Sequence, residues 1–220
     1  MTTARGSTRE AIVTAALGLF RERGFEGTTM RAVAERAGVS VGNAYYYFSS
    51  KDELVQGFYD QLVAEHRALA LPGLAGRTDL ADRLGATLHA WVTVAEPYRE
   101  FAGRFFAVAA QPDNPLSPFS PETGSARAAA VDLYREVLEG ARVDPDPELA
   151  RELPGLLWLQ HLGVVLFWVH DRSDGAARTR VLVDRTAPIV ARLVRLSRLP
   201  VLRPLGRQVV DLVRLLRSGH

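Results

Sequence analysis

Five histidines and no cysteine bound the chemistry open to this 220-residue chain. Without cysteine there is neither a disulfide nor a thiolate metal site. His161 and His170 stand nine apart, not at the i, i+4 spacing that turns two imidazoles toward one metal, and His89 stands alone. No HExxH, Gly-rich phosphate loop or GxSxG occurs. The expectation is a protein that is not an enzyme, with no catalytic residue, no metal and no cofactor.

A second group of residues suits a different chemistry. Over 40–48 (SVGNAYYYF), at 100° per residue, Ala44, Tyr47 and Phe48 point one way with Val41 at the edge. Gly42, Asn43, Tyr45 and Tyr46 point the other way. An ordinary solvated face carries Glu, Lys or Arg. This one carries no charge, and its tyrosine hydroxyls can donate to phosphate oxygens while Gly42 admits close approach. The alternative is that the tyrosines pack on a neighbouring domain. Lys51, the only lysine, follows in the first turn of a helix, where the dipole disfavours a cation by roughly 0.3–1 kcal/mol. An external phosphate reverses that sign; mere exposure is the bland alternative.

Short helices must position these groups. Ser7-Thr8-Arg9-Glu10 is a capping box that predicts a helix start, with Ile12, Ala15, Ala16, Leu19 and Phe20 at helical spacing and Gly24 as its stop. Thr29 caps a second helix whose Met30, Val33, Ala34 and Ala37 share one face, and Gly38 ends it. Ser40 caps a third. Two helices joined by a short Gly-containing turn form a helix-turn-helix pattern. Ser50-Lys51-Asp52-Glu53 is a second capping box, opening a fourth helix with Leu54, Val55, Phe58, Tyr59 and Leu62 inward.

Residues 8–54 resemble the DNA-binding domain of the TetR family of bacterial regulators. The resemblance is carried by Gly24-Phe25, Thr28-Thr29, Val33-Ala34, Ala37-Gly38-Val39-Ser40, Gly42, Tyr45-Tyr46-Tyr47-Phe48 and Lys51. Ala44 departs from a usual leucine, and Tyr46 from a common histidine. The resemblance implies phosphate contacts from Thr29, Tyr45, Tyr46 and Lys51, and an approach to base edges by Val41, Gly42 and Asn43. Arg31, early in the second helix, is an additional candidate.

The remainder resembles the family's helical regulatory domain, and here the residues lead. Pro72-Gly73 through Arg77 predicts a break, Leu80 to Ala95 a fifth helix, Tyr98 to Ala110 a sixth, and the Pro-rich 111–120 a loop. Ser120-Pro121 predicts the start of a seventh helix, and 143–147 a linker. An eighth helix, about 148–170, is apolar nearly all round from Leu156 to Val169, which predicts burial on both sides. A ninth, about 175–199, carries Leu182, Thr186, Ile189, Leu193 and Leu196 at alternating spacings of four and three, a coiled-coil-like seam. Pro154 and Pro188 are expected to kink or interrupt these two helices. The resemblance implies that both pair with their copies in a second subunit, which makes Leu182, Ile189, Leu193 and Leu196 candidate dimer contacts. Trp91, Phe105, Phe106, Trp158, His161 and Trp168 are candidates for an apolar effector pocket, though aromatics at helical spacing are more often plain core. His161 is either a hydrogen-bonded core histidine or a group that orients a ligand. A tenth amphipathic helix at 203–217, with four arginines, extends the dimer, covers the pocket, lies on a membrane surface or packs on its own domain, the last being favoured.

The expected fold class is all-α. Residues 1–50 are expected to form a three-helix DNA-binding domain, and 51–220 a larger helical ligand-binding and dimerisation domain. Net charge is +2, but residues 1–51 hold seven basic against four acidic residues, and 190–220 seven against one. Local positive charge is what a nucleic-acid contact needs. The polar opening MTTARGSTRE is no signal core, and with the missing cysteines it suits the cytoplasm. The run Leu156–Val169 is shorter than the roughly 20 residues that span a bilayer, so no membrane partner is expected. The expected partners are a near-palindromic double-stranded DNA operator, a second copy of the chain and an apolar small-molecule effector. The alternatives are a regulator without a pocket (constitutive, protein-modulated or activating) and a helical enzyme or interaction module.

Overall fold

The computed structural model describes residues 2–109, 111, 114–199, 208, 210 and 211. Among them there is no strand. The helices are α1 (Thr2–Arg23), α2 (Met30–Ala37), α3 (Val41–Tyr47), α4 (Lys51–Leu74), α5 (Leu80–Ala95), α6 (Arg99–Ala109), α7 (Gly124–Glu139), α8 (Pro147–His170) and α9 (Ala177–Leu196). They form two compact units. The first is Met1–Ala64 with Pro97–Arg127; the second is Glu65–Glu96 with Ala128–His220. Packing therefore divides the chain inside α4, whereas the functional division expected from sequence lies at 50/51. The 203–217 helix falls outside the described residues except for 208, 210 and 211.

In the first unit the inward stripes form one core. Ile12, Ala16, Leu19 and Phe20 of α1 meet Val33 and Ala34 of α2, Ala44 of α3, Phe48, and Leu54, Val55 and Phe58 of α4. Phe101 of α6 joins them, stacked on Phe20 at 5.7 Å and edge-on to Phe58 at 5.8 Å. Each of the valine, leucine, isoleucine and phenylalanine side chains among them contributes on the order of 1.5–3 kcal/mol by leaving water. Gly57 of α4 is fitted to this packing, because a Cβ there would stand 2.8 Å from Phe48 Cε1. Arg9 covers the Phe48 ring at 5.0 Å and reaches Asp60 of α4 at 3.9 Å. The end of α3 is thereby gripped by α1 and α4 together.

In the second unit α5 packs against α9 and touches α8, and α8 and α9 also meet each other. Leu80, Leu84, Leu88, Trp91 and Ala95 of α5 are all buried, as their spacing predicts. Asp171 ties α8 to α9. It accepts from the amide and hydroxyl of Ser173 (2.9 and 2.6 Å) and of Thr179 (2.8 and 2.7 Å). Burial raises its pKa, but these four donors outweigh that and hold it well below the usual carboxylate range. They also brace Ala176, which sits at φ 56, a left-handed conformation costly for a residue with a Cβ.

Several boundaries differ from the sequence expectation. α1 begins at Thr2, so the Ser7–Glu10 box lies inside the helix. α4 runs through Pro72 to Leu74, and the chain turns at Gly76 (φ 72). α7 starts at Gly124, because Ser120, Thr123 and Arg127 first close a hydrogen-bonded turn over 117–123. α8 and α9 continue through Pro154 and Pro188 without interruption. Within the single chain α8 is buried on one side only. Leu157, Trp158, His161, Val164 and Trp168 face inward, while Leu159, Leu166 and Phe167 are exposed. By length and composition alone α8 is apolar enough to cross a membrane, but its inner face packs within the unit.

Candidate nucleic-acid interface

The turn between α2 and α3 is built by its caps. Thr28 is buried and its hydroxyl donates to Gly24 O at 2.8 Å, which seats the strand entering α2. Thr29 Oγ1 accepts from Ala32 N at 3.2 Å. Gly38 adopts φ 68, and Val39 N bonds Ala34 O at 3.0 Å, closing α2. Ser40 Oγ accepts from Asn43 N at 3.1 Å and starts α3 at once. Arg36 of α2 makes a two-pronged pair with Glu22 of α1, both contacts at 2.7 Å. The pairing lowers the Glu22 pKa and raises that of Arg36.

This scaffold turns one face of α3 outward. Ala44 and Phe48 are buried, whereas Val41, Gly42 and Asn43 are exposed, with Tyr45 at 51% and Tyr46 at 69%. The two tyrosines therefore do not fill their own unit's core. Gly42 is informative because a Cβ there meets nothing within 4 Å and its backbone is not left-handed. No internal packing requires glycine at that position. Gly42→Ala is expected to leave thermal stability unchanged or raise it, since alanine is the better helix former by up to about 1 kcal/mol. The same change is expected to weaken DNA binding about tenfold. Melting curves and operator titrations of one preparation check both signs.

Thr29 and Arg31 lie beside this face, exposed at the start of α2. Thr29 oxygen is engaged as a cap, but its O–H remains available to donate. Lys51 is partly buried. Its ammonium donates to Phe25 O at 2.9 Å and lies 4.6 Å over the Phe25 ring. It is thus held at the start of α4 with two of its three protons still to place. In the box that opens α4, Ser50 Oγ accepts from Glu53 N at 3.2 Å, while Glu53 reaches Ser49 N at 2.6 Å rather than the amide of Ser50.

In the second unit three of the six pocket candidates come together. Trp91 stands edge-on to His161 and to Trp168, each at 5.0 Å. Trp158 is buried on α8. Phe106 belongs to the first unit, and the Phe105 side chain lies outside the described residues. Two residues that sequence reasoning did not assign to this site complete the cluster: His66 at 5.5 Å and Tyr134 at 5.9 Å from the His161 ring. A buried His66 on α4 carries no sequence signal, because its partners, Thr87 and His161, come from α5 and α8.

Both histidines are neutral. His66 Nε2 donates to Thr87 O at 2.9 Å, and burial pushes its pKa down to about 4 against the opposing effect of that bond. Burial, and then the nearby His66, hold His161 well below 6.5. An unfolded histidine takes its proton near 6.5, so between pH 6.5 and 4 the unfolded chain binds more protons and stability falls with pH. His66 alone accounts for about 3 kcal/mol of that loss. Urea unfolding at pH 7 and pH 4.5 is expected to show it, and His66→Gln to show less.

On α9, Thr179, Val183, Ala187, Ala191 and Val194 face inward. Ile189 is 57% and Leu193 61% exposed; Leu196 is exposed and Leu182 half-buried. Larger residues of the helix thus face out, and Leu159, Leu166 and Phe167 of α8 are exposed as well.

The geometry defines a helix-turn-helix unit followed by an all-helical second unit. The model of the family "Bacterial regulatory proteins, tetR family" matches residues 12–57, and that of the "Tetracyclin repressor-like, C-terminal domain" matches residues 83–216. The chain belongs to the TetR family of bacterial regulatory proteins. It is 36% identical over 98 residues to the HTH-type transcriptional repressor KstR2 of Rhodococcus jostii, a match spanning 43% of this chain and 44% of that protein. Its fold is similar to that of a TetR transcriptional regulator from Nitrosomonas europaea (TM-score 0.65, 21% identity, 84% of this chain and 98% of that one). It is also similar to the FadR regulator of Bacillus subtilis, solved with stearoyl-CoA (TM-score 0.60, 15% identity, 86% and 98%).

Proposed function

We propose that the protein is a cytoplasmic, homodimeric transcriptional repressor whose α3 enters the major groove of a near-palindromic operator. The observation that carries this reading is the uncharged outer face of α3, with Tyr45 and Tyr46 exposed and Gly42 free of any internal packing demand. Val41, Gly42 and Asn43 approach base edges; Thr29, Arg31, Tyr45, Tyr46 and Lys51 hold phosphates. The division of labour at 50/51 follows: residues 1–50 read DNA, and 51–220 dimerise and sense. A second copy of the chain covers Leu182, Ile189, Leu193 and Leu196 on α9 with the outer face of α8. The sensed signal is an apolar small molecule bound at the aromatic cluster of Trp91, His161 and Trp168. Coupling of about 1–3 kcal/mol between that molecule and the operator is the usual range for such a switch.

A second reading keeps the DNA binding and drops the effector. It is favoured by the ring contacts of 5.0 Å around Trp91, which let the aromatics fill one another's space.

Two substitutions separate positioning from reading. Lys51→Ala is expected to weaken binding to all DNA sequences alike and to lower the salt slope by about one unit. Asn43→Ala is expected to change base preference at one position of each half-site while leaving the salt slope in place. Anisotropy titrations over a salt series, on operator and scrambled duplexes, check both. Unchanged binding in both variants contradicts the reading.

A further inference from the structure

The centre of the second unit holds polar atoms that its own fold does not use. Neither ring nitrogen of His161 meets a hydrogen-bond partner in the protein, and neither does the Tyr134 hydroxyl. His161 is only 6% exposed and Tyr134 is fully buried. Their rings are 5.9 Å apart, with Trp91 on one side of His161 and His66 on another. His66 differs, because its Nε2 is already committed to Thr87 O. Buried polar atoms without partners cost stability and return nothing to the fold. Phenylalanine at 134 and leucine at 161 would fill similar volumes without that cost.

We propose that His161 and Tyr134 form the polar reading point for an uncharged hydroxyl group on a flat, apolar effector. The proposal rests on the effector-responsive reading above and names the chemistry of that site. A neutral imidazole offers one acceptor and one donor, and a phenol offers both. A ligand hydroxyl can donate to the unprotonated imidazole nitrogen and accept from the tyrosine O–H, so one group pairs with an atom of each side chain. Tryptophan faces suit a flat apolar body. A carboxylate does not suit this pair, because burial keeps His161 uncharged and two arginines of the same unit are engaged elsewhere. Arg83 is bonded to main-chain carbonyls, and Arg67 is paired with Glu136.

The test uses two probes of matched shape, 2-naphthol and 2-methylnaphthalene, titrated by calorimetry into the full-length chain, Tyr134→Phe and His161→Leu. Wild type is expected to bind 2-naphthol about tenfold or more tighter than 2-methylnaphthalene. That preference is expected to vanish in both variants. Because the hydroxyl supports nothing in the free protein, Tyr134→Phe is also expected to melt at the same or a higher temperature than wild type. Equal affinities in wild type, a preference that survives both variants, or binding of neither probe overturns the proposal. So does a lower melting temperature for Tyr134→Phe, which assigns the hydroxyl to a buried water only. Operator binding is followed in the same samples by anisotropy. Preferential naphthol binding without a change in operator affinity upholds the site and overturns the effector reading instead.

Discussion

Replacing Ile189 and Leu193 together by aspartate is expected to leave a folded chain that sediments as a monomer and binds its operator 10²–10⁴-fold more weakly. Both side chains are more than half exposed, so their loss removes little from the chain's own core. The buried stripe of α9, from Thr179 to Val194, is untouched and keeps the helix packed on α5. Four aspartates across a two-fold interface, in contrast, would bury like charges against each other. A dimer gains its affinity by making the second half-site contact intramolecular, which multiplies binding by that factor without any new contact. Light scattering reads the mass, and the operator titration reads the affinity. A dimer that persists in the double variant, or a monomer that binds as tightly as wild type, contradicts the role given to this face.

Arg83→Ala is expected to lower unfolding free energy by about 2–5 kcal/mol, a large share of what holds a marginally stable chain folded. Arg83 is 6% exposed and spends its guanidinium on four main-chain carbonyls. Nε donates to Val137 O at 2.7 Å and Nη2 to Glu136 O at 2.8 Å, near the end of α7. Nη1 donates to Leu74 O at 3.0 Å and Arg77 O at 2.9 Å, at the end of α4 and in the turn after it. One side chain therefore caps two helix ends, where terminal carbonyls with spare acceptor capacity and the negative dipole end both favour a cation. Alanine leaves Val137 O and Arg77 O without their donor, while Leu74 O and Glu136 O each keep a backbone amide, from Arg77 at 3.2 Å and Gly140 at 3.3 Å. Lysine does not substitute, because a single ammonium cannot span both ends as the planar fork does. Gly140 belongs to the same arrangement, since a Cβ there would collide with the guanidinium. Chemical unfolding of Arg83→Ala and Arg83→Lys checks the prediction; a change below about 1 kcal/mol in Arg83→Ala contradicts it.

These two residues illustrate what was legible in the sequence. The α2–α3 turn was readable because its devices are local: Thr29 and Ser40 bond amides three residues on, and Gly38 supplies the left-handed φ. The outward face of α3 followed from the same period, since Ala44 and Phe48 had to be inside. The seam of α9 was readable as a pattern, although periodicity alone does not say whether a stripe meets its own chain or another. The same ambiguity covers the outer face of α8, where Leu159, Leu166 and Phe167 look identical to core residues in composition and are exposed in the single chain. Arg83 and His66 were not legible at all. Their partners come from α4, the turn after it, α5 and α7, so no local spacing marks them. The start of α1 was missed for a different reason: a good capping box at Ser7 does not stop a helix from continuing N-terminal to it.

In the proposed repressor the outer face of α3 reads DNA as one of a symmetric pair. Hydroxyl-radical footprinting on the DNA upstream of the protein's own coding sequence tests this most directly. It is expected to give two protected half-sites on one face of the duplex, their centres about 34–36 Å, or a multiple, apart. Protection of a single site by a monomer, or no protection even at low salt, would contradict it.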